Sequence, residues 1–228
     1  LYLIATPIGN LEDISLRAIR VLQEVAVIAA EDTRRTRRLL QHYKIATRTT
    51  SYHQHNRLQK IPSILQILKH ADVALVSDAG TPLVSDPGSE LVEAAVKAGT
   101  PVVPIPGPSA ITAAAVTSTL PLDRFLFLGF LPRKLNDRRS LLKSIRDQPW
   151  TVICFEAPHR LVRTLSDLTE VLGDRPITVC RELTKMHEEI FHGTLSQAMT
   201  RFSQPRGEFT LVIGASSNST LQTPSNHT

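Results

Sequence analysis

The chain has 228 residues, of which 42% are hydrophobic and 21% are charged, and it carries a net charge of +5. This composition indicates a folded protein of one large or two small domains, and no apolar run is long enough to cross a membrane. The two cysteines lack the spacing of a disulfide framework or a zinc site, and no secretory signal precedes the first strand pattern, so a cytoplasmic protein without metal is expected. The mild positive charge favours an anionic partner.

The first half of the chain alternates short apolar runs with amphipathic segments. The apolar runs predict strands over residues 1–6, 25–30, 73–76 and 101–105. Helical spacing of apolar residues predicts helices over 14–25, 33–43, 58–68 and 87–99, and a helix of small residues over 110–116. Asp86 is predicted to cap the fourth helix, and the polar segment 47–56 is predicted to be a loop. Strands that alternate with helices indicate a mostly parallel sheet covered on both faces.

The alternation breaks near residues 120–123, which predicts a domain boundary there. The second half again alternates, with strands predicted over 125–129, 151–155, 177–180 and 209–213 and helices over 134–146, 161–172 and 195–202. We therefore expect an N-terminal α/β domain over 1–120 and a C-terminal α/β domain over 121–214. The Ser-, Thr- and Asn-rich tail, 215–228, is predicted to be disordered.

Polar or Gly/Pro-rich loops recur directly after the predicted strands. They occupy residues 7–10, 31–35, 77–82 and 106–110. A parallel sheet brings such loops to one edge, which is where α/β proteins bind ligands. No Gly-x-Gly-x-x-Gly or Walker loop is present in the sequence, which argues against the usual dinucleotide and nucleoside-triphosphate folds.

Basic residues are bunched into two clusters, each just beyond a strand-end loop. The clusters are Arg34, Arg35, Arg37 and Arg38 in the first half, and Arg133, Lys134, Arg138 and Arg139 in the second. Such clusters can bind phosphates, although a run of this kind is also typical of a solvated helix face.

Seven short motifs occur in a fixed order along the chain. They are Thr-Pro-Ile-Gly-Asn-Leu (6–11), Glu-Asp-Thr-Arg (31–34), Ser-Asp-Ala-Gly-Thr-Pro (77–82), Pro-Gly-Pro-Ser-Ala (106–110), Gly-Phe-Leu-Pro (129–132), His-Arg (159–160) and Arg-Glu-Leu-Thr-Lys (181–185). Together they resemble the ribosomal RNA small subunit methyltransferase I family of the tetrapyrrole methylase superfamily. Each motif alone is modest, but the ordered set is specific and covers the chain to about residue 213.

The resemblance implies a tetrapyrrole-methylase-like α/β fold of two domains, each a mostly parallel or mixed sheet flanked by helices, with a ligand cleft between them. It implies S-adenosylmethionine as methyl donor and 2′-O-methylation of a cytidine ribose in the decoding region of 16S rRNA, free or in the assembled small subunit. It further implies a homodimer that acts on neither DNA nor membranes.

The resemblance and the loop chemistry together nominate site residues. For the donor these are Pro7, Asp78, Gly80, Thr81, Ser109, Ala110, Ala157, Glu208 and Thr210. For catalysis they are Glu31, Asp32 and Glu156. For the RNA they are Arg34, Arg35, His53, His55, Asn56, Arg133, Lys134, His159, Arg160 and Arg181. A sulfonium donor calls for carbonyls and a carboxylate rather than a metal, and a ribose hydroxyl benefits from alignment and a base.

Structural roles remain open for several of these residues. Asp78 could be a turn residue, and Glu31 or Asp32 could cap the following helix. His53 and His55 could belong to a plain surface loop. For the whole chain, two other functions remain open: methylation of a tetrapyrrole or another small molecule, and RNA binding without catalysis.

Overall fold

The structure is a computed structural model that describes residues 1–215; the predicted disordered tail lies, from residue 216 onward, outside the described residues. The chain divides into two compact units, Leu1–Ser109 and a second that begins at Ala110. The division therefore precedes the helix of small residues, whereas the sequence analysis places it after residue 120.

The first unit alternates strands and helices as the sequence predicts. Its strands are β1 (Tyr2–Ile4), β2 (Val27–Ala30), β3 (Thr49–Ser51), β4 (Val73–Val76) and β5 (Val103–Ile105), and its helices are α1 (Leu16–Glu24), α2 (Thr33–His42), α3 (Arg57–Leu68) and α4 (Ser89–Lys97). The strands form one sheet in the order β3-β2-β4-β1-β5, and every neighbouring pair is parallel. The loops after β1, β2, β4 and β5 consequently emerge at a single edge.

The centre of this sheet is buried on both faces. Every residue of β2 and β4 is buried, as expected for strands that read as continuous apolar runs. Ile28 packs with α1 and α2 on one face, and Leu75 packs with α3 and α4 on the other. Burial of this kind contributes roughly 1.5–3 kcal/mol per large aliphatic side chain, so the strand ends are held on a rigid base.

Two local predictions for the first unit are wrong. Asp86 does not cap α4, because the chain stays irregular through Gly88 (φ 149°) and the helix begins at Ser89. The segment 47–56 is not entirely loop, because β3 pairs with β2 at the sheet edge, with Thr49 opposite Ile28. The side chains of β3 are all polar, so the sequence shows no alternation of apolar and polar residues there. The backbone hydrogen bonds to β2 are enough to hold this edge strand in the sheet.

The second unit contains a mixed sheet. Its elements are α5 (Ala110–Thr117), β6 (Phe125–Phe130), α6 (Leu135–Ser144), β7 (Thr151–Glu156), α7 (Pro158–Leu172), β8 (Pro176–Arg181), β9 (Glu189–Thr194), α8 (Leu195–Arg201) and β10 (Phe209–Ile213). The strand order is β6-β7-β10-β8-β9; β6 and β7 are parallel, whereas β10 is antiparallel to both of its neighbours. No helix within residues 1–215 has the length and apolar character needed to span a bilayer.

Two features of the second unit were not predicted. Helix α5 belongs to this unit because it packs on β7, β8 and β10, and the Thr117 hydroxyl lies 3.5 Å from the sulfur of Cys180. Strand β9 pairs antiparallel with β8, with Phe191 opposite Val179. Its sequence, Glu-Ile-Phe-His-Gly-Thr, mixes polar and apolar residues without a clear period, so no strand was predicted there.

Candidate functional site

The carboxyl edge of the first sheet gathers acidic residues from two adjacent strands. Glu31 and Asp32 follow β2, and Asp78 follows β4 after Ser77. The backbone N–H of Asp32 donates a hydrogen bond of 2.9 Å to Asp78 Oδ1. The two loops that the sequence analysis nominated are therefore joined directly, and the side chain of Asp78 remains one quarter exposed.

The first arginine cluster is engaged with these carboxylates. Asp32 caps α2, where its Oδ1 accepts from the Arg34 backbone N–H at 2.8 Å, and the Arg34 guanidinium donates to both carboxylate oxygens at 3.2 and 3.0 Å. These hydrogen bonds lower the pKa of Asp32 to about 2. Arg35 Nη1 lies 3.5 Å from Asp78 Oδ2. Asp32 is thus an ionised helix cap, and Arg34 and Arg35 border the acidic edge.

Two carboxyl groups at this edge hold protons more tightly than usual. Burial raises the pKa of Glu31, and the negative charge of Asp78 adds to the shift, whereas Arg35 and His53 oppose it. Burial also raises the pKa of Asp86 to about 6, with the charges of Glu31 and Asp78 acting in the same direction. A carboxylate whose pKa is moved toward neutrality is a better proton acceptor, which favours Glu31 as a base.

The loop after β4 is fastened to the loop after β1. Thr6 and Gly80 form a two-way backbone bridge, with both N–H groups donating over 2.9 Å, and the Thr6 hydroxyl donates to the Ser77 carbonyl at 3.2 Å. Gly80 adopts φ +81°, a conformation that costs other residues energy. The Thr81 hydroxyl lies 3.5 Å from the Pro108 carbonyl, which extends the assembly to the loop after β5.

These three loops carry the first-unit residues nominated for the donor. Pro7 follows the bridge residue Thr6, and Ser109 follows Pro108 at the end of the loop after β5. Ala110, the next nominated residue, is the first residue of α5 and of the second unit. Close packing of the loops needs a small residue at Gly107, because a Cβ there would lie 3.2 Å from the Cβ of Ala5. Fixed carbonyls and nearby carboxylates suit a positively charged ligand.

The polar loop after β3 contributes His53 to the same edge. Asn56 fastens this loop, since its Oδ1 accepts from the His53 N–H at 2.9 Å and its Nδ2 donates to the carbonyl and hydroxyl of Ser51 at 3.3 and 3.1 Å. The His55 N–H donates to His53 Nδ1 at 3.3 Å, so a neutral His53 carries its proton on Nε2. Asn56 therefore holds the conformation of this loop. The charge of His53 acts to lower the pKa of Glu31.

In the second unit, Glu156 is buried and fully engaged. Its Oε1 accepts from the Ala157 N–H at 2.8 Å and lies 3.2 Å from Arg160 Nε, and its Oε2 accepts from the Thr164 hydroxyl at 2.5 Å. The side chain has no exposed surface. Glu156 holds the start of α7 and the Arg160 side chain in place, and it presents no free oxygen for proton transfer from a substrate.

Arg160 and Arg181 are also engaged with the protein. Arg160 Nη2 donates to the Leu131 carbonyl at 2.5 Å, next to its contact with Glu156. Arg181 lies 3.1 Å from Glu189 and donates to the Arg206 carbonyl at 2.7 Å.

The other second-unit residues nominated for the donor lie near β7 and β10. Thr210 is buried within β10, and Ala157 directly follows β7. Glu208 is exposed, and its carboxylate lies 2.9 Å from Lys185 Nζ.

Three nominated residues at the start of α6 and α7 are exposed: Arg133, Lys134 and His159. Within residues 1–215 their side chains have no hydrogen-bond or ion-pair partner. Arg163, which the sequence analysis missed, lies one helical turn after His159. The i, i+4 spacing from His159 was the available signal. Asp86 was likewise missed as a member of the acidic edge, because it was interpreted only as a helix cap.

Within the described part of the chain, no group of three His, Cys, Asp or Glu side chains is placed to hold a metal ion.

The sequence model of a protein family described as tetrapyrrole (corrin/porphyrin) methylases matches residues 1–199. The chain is 52% identical over 217 residues to the ribosomal RNA small subunit methyltransferase I of Synechocystis sp., covering 93% of this chain and 78% of that protein. It is 47% identical over 216 residues to the protein of the same name from Thermotoga maritima, covering 93% and 97%.

A solved structure shares the fold. The uroporphyrin-III C-methyl transferase of Thermus thermophilus, complexed with S-adenyl homocysteine, superposes with a TM-score of 0.65 at 20% identity, over 93% of this chain and 96% of that one. At this identity the likeness concerns the fold alone. The predicted α/β fold, with two sheets flanked by helices, is confirmed.

Proposed function

Because the chain belongs to the ribosomal RNA small subunit methyltransferase I family of the tetrapyrrole methylases, we propose that it transfers a methyl group from S-adenosylmethionine to the 2′-oxygen of a cytidine in the decoding region of 16S rRNA. Methyl transfer to ribosomal RNA follows from the family. The identity of the nucleotide as cytidine and the choice of its 2′-oxygen are proposed in addition. The observation that carries the chemistry is Glu31, a partly buried carboxyl with a raised pKa beside Asp78.

The acidic edge fits the donor. When bound, S-adenosylmethionine supplies an electrophilic methyl group on a positively charged sulfur. The side chains of Glu31, Asp78 and Asp86 place negative charge at this edge, and the bridged loops around Gly80 add fixed carbonyls. We assign the donor to Pro7, Asp78, Gly80, Thr81 and Ser109 of the first unit. We extend the proposal to four residues of the second unit: Ala110, Ala157, Glu208 and Thr210.

Glu31 is proposed to accept the proton of the ribose 2′-hydroxyl. The bond that forms joins the ribose oxygen to the methyl carbon, and the bond that breaks leaves its electron pair on sulfur, giving S-adenosylhomocysteine. The charges of Arg35 and His53 oppose the rise in the pKa of Glu31 that burial and Asp78 cause. Asp32 acts as the cap that positions Arg34, and Glu156 positions α7 and Arg160.

The RNA is proposed to contact the exposed residues Arg133, Lys134 and His159, together with His53 and His55. Arg34 and Arg35 each lie beside a carboxylate, so their net contribution to phosphate binding is smaller than that of the unpaired cations. Arg160 and Arg181 support the surrounding loops.

A transfer assay tests this function. The protein is incubated with S-adenosylmethionine labelled in its methyl group and, separately, with small ribosomal subunits, small-subunit rRNA and uroporphyrinogen III. We expect label in the RNA of one or both ribosomal substrates and none in the tetrapyrrole. Label in the tetrapyrrole alone would favour the small-molecule alternative, and RNA binding that is independent of the donor, without transfer, would favour a non-catalytic RNA-binding protein.

A further inference from the structure

A concavity of about 550 Å³ lies against α6 and α7 of the second unit. This volume is within the range of small-molecule binding sites, roughly 300–1,000 Å³. The residues in its lining that matter here are Arg133, Leu135, His159, Val162, Arg163 and Met199. All of these residues lie in the second unit.

The wall of the concavity is built on buried ion pairs. Arg138 and Asp167 are each only 7% exposed, and Arg138 also donates to the Pro132 and Arg133 carbonyls at 3.0 and 3.2 Å. Arg139 Nε lies 3.1 Å from Oδ1 of the same Asp167 carboxylate. These hydrogen bonds hold the backbone before α6 against α7, so the backbone of Arg133 is fixed beside the concavity.

The charged side chains of this concavity that have no ion-pair partner within residues 1–215 carry positive charge. The charge of Arg160 is balanced by Glu156, and those of Arg138 and Arg139 are balanced by Asp167 and Glu170. Two lining guanidinium groups then remain, those of Arg133 and Arg163, which are exposed and have no ion-pair partner within residues 1–215. A pair of unpaired arginines matches a phosphate, because the guanidinium fork donates two parallel hydrogen bonds to such an anion.

Part of the remaining lining is apolar. Leu135 is 48% exposed, and Val162 and Met199 lie in the same lining. A free phosphate ion would make no favourable contact with these apolar side chains, whereas the sugar and base of a nucleotide would cover them. We propose that this concavity binds one nucleotide of the RNA substrate, with its phosphodiester on Arg133 and Arg163 and its nucleoside against Leu135 and Met199.

This inference rests on the proposed function, since it assigns part of the RNA path to a site away from the acidic edge. It assigns Arg163 a substrate-binding role that no motif indicates. The same chemistry would also accept free inorganic phosphate, so the test must separate the two sources.

The test compares the variant Arg133→Ala/Arg163→Ala with wild type. Binding of small ribosomal subunits, and in parallel of small-subunit rRNA transcribed in vitro, is measured at several salt concentrations. Loss of one phosphate contact should flatten the plot of log affinity against log salt by about 0.7–0.9, and affinity at fixed salt should fall about tenfold. In the transfer reaction, KM for RNA should rise by a similar factor while kcat and donor affinity stay within about twofold.

Arg146→Ala is the matched control, because it removes an exposed arginine of the same unit that does not line the concavity. Its salt dependence should equal that of wild type. Arg163→Lys, which keeps the charge but not the fork, should keep the slope and lose only part of the affinity.

Three results would overturn the inference: an unchanged slope in the double variant, an equal loss in Arg146→Ala, or competition by millimolar inorganic phosphate that disappears in the double variant while RNA affinity is unchanged. If wild type methylates RNA normally under any of these results, the proposed function stands and only the nucleotide site fails. If wild type neither binds nor methylates either ribosomal probe, the proposed function itself fails.

Discussion

At the scale of single residues, the proposed methyl transfer depends on Glu31 as the proton acceptor. Glu31→Gln keeps the size of the side chain but removes the proton acceptor, so methyl transfer to RNA should fall roughly 10²–10⁴-fold in kcat. Donor affinity, measured by calorimetry, should change by no more than a few-fold. Glu24→Gln, an exposed carboxyl on α1 paired with Arg20, is the control and should leave kcat unchanged. A full-rate Glu31→Gln enzyme would exclude Glu31 as the base.

Asp86 adds a prediction about stability and pH. Its pKa in the folded protein is about 6, above the value of 3.8 expected when unfolded, because burial and the neighbouring carboxylates disfavour its charge. The folded state therefore binds more protons than the unfolded state between these values, and stability is lost as pH rises through this window.

Asp86→Asn removes the charge that causes this loss. The variant should gain stability over wild type as pH rises from about 4 to 6 and keep the full gain above 6, by about 1–2 kcal/mol after allowance for partial exposure. Urea unfolding at pH 4 and pH 8 measures the difference. A gain that is equal at both pH values would contradict the assigned pKa shift.

At the scale of elements, the loop after β4 depends on Gly80. An alanine there must adopt φ +81°, at a cost of about 1–2 kcal/mol, and its Cβ would lie 3.4 Å from Ile8 Cγ2 within the bridged loops. Gly80→Ala should therefore lower both stability and donor affinity. Gly99→Ala is matched, because Gly99 has φ +72° but open space around it at the end of α4. It should lose stability with no change in donor affinity; equal donor affinity in both variants would remove the loop from the donor site.

The sequence predicted some elements better than others, for physical reasons. Strands β2 and β4 were predicted because their residues are buried on both faces and form continuous apolar runs. Strands β3 and β9 lie at sheet edges, where backbone pairing suffices and the side chains need not alternate. The predicted start of α4 was too early because Leu83 and Ser85 adopt left-handed backbone conformations. Leucine and serine rarely adopt this conformation, so the sequence did not indicate it.

Some residues of the candidate site could be predicted from the sequence, and the roles of others could not. The order of the motifs identified Glu31, Asp78 and Gly80, which lie on loops at one sheet edge. The roles of Glu156 and Asn56 could not be predicted, because burial and three-dimensional partners decide whether a polar side chain is free to act. Arg163 was missed because its neighbours in the concavity come from separate stretches of chain.

At the scale of the whole molecule, the first unit carries an acidic, loop-bridged sheet edge, and the second unit carries a cationic concavity. In the proposed function, the acidic edge would supply negative charge for a sulfonium donor and a base for a hydroxyl, and the concavity would supply positive charge for an RNA backbone. Both features are built on buried scaffolds, β2 and β4 in one case and the Arg138–Asp167 pair in the other. The charge separation explains why a net charge of only +5 is compatible with an RNA substrate.

The most direct measurement of the central claim is mass spectrometry of the RNA product. Small ribosomal subunits that lack the modification are incubated with the protein and S-adenosylmethionine carrying a deuterated methyl group, and the RNA is digested to nucleosides. We predict a single labelled product, 2′-O-methylcytidine, located in the decoding region and absent with Glu31→Gln. Label on a base, on another nucleoside or on no RNA at all would contradict the account.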